Sequence, residues 1–333
     1  MNVKKEVGEY IKVLKSGSGK IHWVDPYEFR EHVLKKSRDF EDKIMDEQEA
    51  ISKFVKNGDY IITERSPRDP LALTREVVRQ KKRNLWLCSI FQLVVPSFLV
   101  AGGCLKGMDV GYPDIARNVW RAIESNKIEV SEWNNDALAM RLLAGSLNIP
   151  FIPWYTPTIG TDTLEKSGAK VIDDPYTGRP ITLLPALHPD VCIISVHQAD
   201  KYGNARIFGP SVLHHEAALA SQKVIVQAEE IIPHEEFRRR PSLTTIPYFV
   251  VDAVVVAPFG CHFKTMPGRY WTDIKAFLEW YSYMAEEDKT EEYLEKYIYS
   301  VSSHQEYLEK RVGIRRLLEL QFLEREYRGE YYL

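Results

Sequence analysis

Residues whose types and spacing suit chemistry stand at four places in this 333-residue chain. In TERSPRDP, 63–70, a strand-like stretch ends and a helix expected over 70–81 begins. Asp69 can cap that helix and Pro70 suits its first turn. Arg68 then stands at a helix N-terminus at the end of a strand, a placement suited to gripping a carboxylate or phosphate; the plain alternative is a solvated arginine. In IEVSEWNND, 128–136, Glu132 comes just before a helix expected over 134–147. Its carboxylate either supports that helix N-terminus, worth about 0.3–1 kcal/mol, or acts as a catalytic or substrate-orienting acid. In SVHQADKYGNARIFGP, 195–210, Asp200 and Gly203-Asn204 are turn residues that return the chain toward Arg206. That reads as a β-turn beside a sheet, with His197 or Gln198 as ligand contacts in the alternative. In VVDAVVVAPFGCHF, 250–263, a buried-looking strand leaves the core through Pro258 and Gly260 and sets His262 just beyond. This is either a simple turn or the crevice at the carboxyl end of a parallel strand, where open α/β sheets bind small molecules.

Other chemistries find no support. GSGK at 17–20 lacks the preceding strand and the following Ser or Thr of a phosphate-binding loop. His214 and His215 are adjacent, about 100° apart on a helix, and do not clamp one metal. No HExxH or GxSxG occurs. Catalysis must therefore rest on carboxylates, backbone donors or groups supplied from outside the chain.

The elements that would position these residues read as alternating strands and helices. Strand-like runs are 60–62, LWLCSI (85–90), FLVA (98–101), IPFIP (149–153), VCIISV (191–196), KVIVQA (223–228) and VDAVVVA (251–257). Helical patterns fall at 70–81, 113–125, 134–147 and 212–221. Near-continuous apolar strands between helices argue for a parallel sheet covered on both faces, an open doubly wound α/β fold. Residues 1–40 look like an extension of one or two short helices, 41–270 the α/β domain, and 271–333 helices that pack on the sheet or on a partner. A net charge of −3 gives no electrostatic case for nucleic acid or an acidic membrane. Four widely spaced cysteines, no apolar N-terminal core and an apolar run (90–103) too short for a bilayer point to free thiols in the cytoplasm.

These pieces, in this order, resemble the A (alpha) subunit of family I CoA-transferases, the glutaconate CoA-transferase branch. The resemblance spans roughly residues 42–325. It rests on DKIMDEQEAISKFVKNGDYI, on R-x-P at 68–70, on LNIPFIPWYTPTIGTD at 147–162 and on HPDVCIISVHQADKYGNARIFGP at 188–210. KVIVQAEEII at 223–232 and IPYFVVDAVVVAPFGCHF at 246–263 complete it. It implies an open, mostly parallel sheet, a B-type partner subunit, CoA and acyl-CoA as substrates, and no permanently bound cofactor or metal. It implies covalent chemistry through a glutamyl-CoA thioester, on a glutamate that the partner carries in an E-S-G context. Glu124-Ser125-Asn126 is superficially similar but falls inside a helical pattern, so this chain alone should not transfer CoA. Gly260 and His262 match the family's A-P-x-G-x-H segment, and the resemblance implies that they face a shared cleft.

One departure stands out. Where the family carries Gly-Gly-Phe or Gly-Trp-Gly before R-x-P, this chain has Thr63-Glu64-Arg65-Ser66. Glu64 and Arg65 would then narrow or polarise the acyl pocket. A related branch opens a ring of a CoA-linked diketone hydrolytically with an A-type glutamate whose context is similar to that of Glu132. A noncatalytic acyl-CoA-binding or assembly subunit is the third reading.

Overall fold

The computed structural model describes residues 12–63, 67–112, 116–155, 158–210 and 213–331. Its strands in chain order are β1 Val13–Ser16, β2 Ile44–Met45, β3 Tyr60–Thr63, β4 Leu85–Ser89, β5 Leu105–Val110, β6 Glu129–Glu132 and β7 Phe151–Trp154. They continue with β8 Lys170–Asp173, β9 Pro180–Pro185, β10 Val191–Ala199, β11 Ala205–Arg206, β12 Lys223–Ile231 and β13 Ala253–Val256. Nine form one sheet, ordered β2-β13-β12-β10-β3-β4-β5-β6 with β11 folded back on β10. Every pairing in it except β10–β11 is parallel.

Successive side chains of a strand point to opposite faces, and here both faces are buried. Ile61, Ile193, Ile225 and Val255 join one apolar cluster, while Tyr60, Ile62, Cys192, Ile194, Val224, Val226 and Val254 join the other. Helices cover each face, so the chain is a doubly wound α/β protein. The expected helices appear as Leu71–Arg79, Arg117–Glu124, Asn135–Ser146 and His214–Ala220.

Three elements differ from expectation. FLVA is not a strand but the end of a helix, Val94–Ala101, whose residues 94–99 are all buried. An apolar run enclosed on every side carries no periodicity to separate helix from strand. IPFIP supplies β7, but in a second, antiparallel sheet ordered β1-β8-β9-β7. The segment before residue 40 contributes a strand, β1, as well as the helix Pro26–Leu34. That helix is capped by Asp25 and stacks Phe29 on His188 at 3.9 Å.

A buried ion pair joins the two sheets. Arg141 donates to Asp109 of β5 at 2.6 Å and to the Pro185 carbonyl of β9 at 3.0 Å, and its guanidinium lies over the Trp133 ring at 4.0 Å. Asp109 also accepts from the Tyr60 hydroxyl and the Trp86 indole, each at 2.9 Å. At the far rim the chain near Lys20 lies across β6, where Ser131 donates to the Lys20 carbonyl at 3.3 Å and Lys20 pairs with Glu129.

The C-terminal segment is helical, including Ile274–Ala285, Glu287–Leu294 and Ile314–Tyr331. Fully buried Trp280 and Ile298 belong to the same apolar cluster as one face of the sheet. Arg121 ties this segment to the helix Arg117–Glu124 through the carbonyls of Ala285 at 2.6 Å and Met284 at 3.0 Å.

Candidate active-site crevice

The strand order fixes where a crevice opens. After β3 the chain lays β4, β5 and β6 to one side, then returns to lay β10, β12 and β13 on the other. The carboxyl ends of β3 and β10 therefore flank the topological switch point at which open α/β sheets bind ligands.

Beside it, one face of the sheet turns from apolar to polar toward its carboxyl end. On that face Ile193 is followed by Ser195 and His197, and Ile225 by Gln227 and Glu229. Gln227 donates to Ser195 at 3.0 Å and accepts from the Leu73 amide at 3.1 Å, which anchors the first turn of the helix Leu71–Arg79. Glu229 accepts from the Phe259 amide at 2.7 Å, the Gly260 amide at 3.2 Å and the Tyr270 hydroxyl at 2.8 Å. The Cys261 amide donates in turn to the Tyr270 hydroxyl at 3.0 Å. Burial pushes the Glu229 carboxyl up to about 7, against these donors and the nearby Arg269 guanidinium.

The residues singled out from sequence are placed as follows. Arg68 is buried, donating to the Pro210 carbonyl at 2.7 Å and to His214 at 3.0 Å, so it clamps the loop ahead of the helix His214–Ala220 and is not a solvated side chain. The helix beside it starts at Leu71, with Pro70 in the cap position. His197 is also buried; it accepts from the Phe208 amide at 3.1 Å and donates to the Pro267 carbonyl at 2.8 Å. Those bonds fix its neutral tautomer with the proton on Nε2. Gln198 points to the opposite face, donating to Glu230 at 2.7 Å, and Glu230 pairs with Arg269 at the rim. The turn after β10 is built as expected: Asp200 accepts from the Tyr202 and Asn204 amides at 3.0 and 2.9 Å, and Gly203 takes φ +100°. Glu64 and Arg65 lie outside the described residues.

Gly260 sits in the turn at the end of β13, but its backbone is not open to a ligand. Its N–H meets Glu229, its carbonyl accepts from Ala72 at 2.8 Å, and a Cβ there would come within 2.4 Å of the Gln227 amide nitrogen. His262 does not face the crevice. The chain passes beneath the C-terminal helices, and the ring is enclosed between the Tyr307 hydroxyl at 2.9 Å and Asp273 at 3.2 Å. Burial lowers its pKa.

Glu132 is the last residue of β6, and Asn134 rather than Glu132 caps the following helix. Its carboxylate is 37% exposed and pairs with Lys166 at 2.7 Å. Five strand steps separate β6 from β12 and three separate it from β3; at about 4.8 Å each, Glu132 stands ~24 Å from Glu229 and ~14 Å from the end of β3.

Sequence reasoning missed Glu229 and Tyr270. The available signal was the polar pair Ser195 and Gln227, in register on two otherwise apolar strands, with acids ending the second. Three bulky residues also hold positive φ on loops at this end of the sheet, Phe91 at 50°, Leu213 at 65° and Phe259 at 55°. Such backbone is strained and concentrates at functional sites. Among the described residues no group of three or more His, Cys, Asp or Glu side chains is arranged to hold a metal ion.

A doubly wound sheet with a polar crevice at its switch point defines an α/β protein that handles small molecules. Residues 44–257 match the Coenzyme A transferase family, and the chain belongs to it. It is 39% identical over 95% of its length to an uncharacterized protein of Archaeoglobus fulgidus, covering 73% of that protein. It is 29% identical to the A-type polypeptide of glutaconate CoA-transferase from Acidaminococcus fermentans, over 84% of this chain and 94% of that polypeptide. The crystal structure of that glutaconate CoA-transferase superposes with a TM-score of 0.80 at 28% identity, covering 84% of this chain and 95% of the other. One component of the cholesterol ring-cleaving hydrolase of Rhodococcus jostii is 26% identical over 63% of this chain and 76% of its own.

Proposed function

We propose that this chain is the A-type half of a heteromeric CoA-transferase that moves CoA between carboxylic acids. Its crevice forms one wall of an acyl pocket that a B-type subunit completes. The single observation that carries this reading is the open, apolar carboxyl edge of the sheet. Phe91 and Tyr112, 50% and 49% exposed with ring centroids 6.0 Å apart, follow β4 and β5 on one side of the switch point, and Phe208, 38% exposed, follows β11 on the other. An exposed apolar surface at a crevice marks a place where a ligand or another subunit docks. Glu229, at the end of β12 beside the crevice, has both oxygens engaged in holding a turn, and the family resemblance implies a nucleophile on the partner.

In that reaction the partner's glutamate carboxylate attacks the thioester carbonyl and releases CoA thiolate, leaving a mixed anhydride. The thiolate attacks the glutamyl carbonyl of the anhydride, giving a glutamyl-CoA thioester and the free donor acid. The acceptor carboxylate repeats both steps in reverse and leaves with CoA. This chain contributes walls that orient the acyl group and exclude water. Glu64 and Arg65, after the end of β3, are proposed to select the acid. The four cysteines, all buried as free thiols, suit the cytoplasm.

The chain co-purified with its B-type partner is the material for the test, with acyl-CoA esters followed by mass spectrometry with and without an acceptor acid such as acetate. Acceptor-dependent formation of the acceptor's CoA ester is expected. Water uptake without acceptor, with CoA retained on an opened product, would instead make the pair a hydrolase. Acyl-CoA binding without turnover would favour a noncatalytic assembly role.

A further inference from the structure

Glu229 closes β12 beside the crevice, and nothing in the reaction above uses its chemistry. Its position is specific. Ala228 pairs with Val256 in the β12–β13 register, so Glu229 stands level with the point where β13 ends and the Pro258–Gly260 turn starts. Three consecutive amides of that turn, those of residues 259, 260 and 261, are gathered by one carboxylate and one hydroxyl. Consecutive N–H groups in a turn form a concave nest that attracts an anion. Here the acceptor is built in, and the nest holds Phe259 at its positive φ with its ring 4.7 Å from that of Tyr270.

We propose that Glu229 is a positioning residue of the transferase: with the Tyr270 hydroxyl it locks the turn after β13 and thereby fixes the end of β13, where Val256 is exposed, against the acyl group. The lock is braced from behind. His304 donates to the Pro258 carbonyl at 2.8 Å, and Arg75 donates to His304 at 3.2 Å and to the His262 carbonyl at 3.0 Å. The turn is thus held by a carboxylate on its sheet side and by the C-terminal helices on the other. Removing the carboxylate leaves the bracing intact, so it should loosen the turn without unfolding the protein.

This inference rests on the transferase reading, and two readouts separate the two. Amide hydrogen exchange of the peptide spanning 257–263, measured on the purified chain, needs no activity. Glu229→Gln should speed that exchange at least tenfold while peptides of β10 and β12 stay protected. In the complex with the B-type partner, the same variant should raise KM for acyl-CoA about tenfold with kcat changed less than threefold. A purely structural defect would lower the amount of active enzyme and leave KM alone. Tyr270→Phe should reproduce a smaller effect, and the double variant should be no worse than Glu229→Gln, because both act on one network. If Glu229→Gln fails to fold, Tyr270→Phe carries both readouts, since it keeps the ring and deletes one hydroxyl. Unchanged exchange at 257–263 in the folded variants overturns the lock. Faster exchange with unaltered KM overturns the placement of the turn against the acyl group. A wild-type complex that transfers nothing while the exchange still quickens overturns the transferase reading and leaves the lock supported.

Discussion

Two residues carry opposite lessons about reading chemistry from sequence. His262 has the right type in the right segment, yet its ring is spent between Tyr307 and Asp273. Glu229 drew no notice as one of two acids closing an apolar strand, yet it holds the turn. What separates them is which side of a turn faces the crevice, a property of backbone path that side-chain type does not encode. Glu132 gives a direct test at this scale. As an exposed acid paired with Lys166 and three strands from the switch point, it should tolerate Glu132→Gln with transfer reduced less than threefold in the complex. A general base would instead lose about 10²–10⁴-fold, which steady-state kinetics would register at once. Gly260→Ala drives a methyl into the Gln227 amide and the Ala257 carbonyl, at 2.4 and 2.7 Å. It should cost about 1–3 kcal/mol, visible as a lower chemical-denaturation midpoint.

Among the elements, legibility followed the side-chain pattern. Amphipathic helices such as Arg117–Glu124 and apolar strands such as β10 and β12 stood where periodicity put them. The helix Val94–Ala101 did not, because a segment buried on all sides has no polar face to reveal its period. The antiparallel sheet was also hidden, since its strands are four to six residues long and, of its paired strands, only β8 and β9 are neighbours in sequence. That sheet hangs on the Asp109–Arg141 pair, whose side chains are 1% and 0% exposed. Removing one partner strands the other charge in the core, so Asp109→Asn or Arg141→Met alone should cost about 3–5 kcal/mol. Replacing both with apolar residues of similar volume should recover much of that loss, which equilibrium urea unfolding of the single and double variants would measure.

For the whole molecule, alternation of strands and helices made the doubly wound sheet legible, but the strand order that creates the switch point came only from the three-dimensional pairing. The protonation behaviour is likewise collective. Burial lowers the imidazoles of His188 to about 4 and His304 to about 3, and lowers His262 as well, from an ordinary 6.5. Each binds its proton more readily when unfolded, so its stabilising share is lost as pH falls below about 6.5. Glu229 works in the other direction. Raised by burial from 4.5 to about 7, it takes a proton more readily when folded and favours the native state as pH falls through that window. The opposing contributions partly offset each other down to about pH 4.5; below it only the losses remain, joined by Asp273, whose carboxyl the His262 and Arg316 bonds hold well below 3.8 despite its burial. Calorimetry should show a shallow Tm profile from about pH 7 to 5 and a steep fall below about 4.5. In Glu229→Gln the fall should begin nearer 6.5.

The strip of chain near Lys20 that lies across β6 has a colloidal consequence. A terminal strand of a sheet offers a row of unused backbone groups to any passing chain, and proteins guard such rows with charges or covering segments. Here Lys20 supplies both, through its ion pair with Glu129 and its carbonyl bond to Ser131. A Lys20→Glu variant should keep its fold but repel Glu129 and loosen that cover, and light scattering should record concentration-dependent self-association that the wild-type protein lacks.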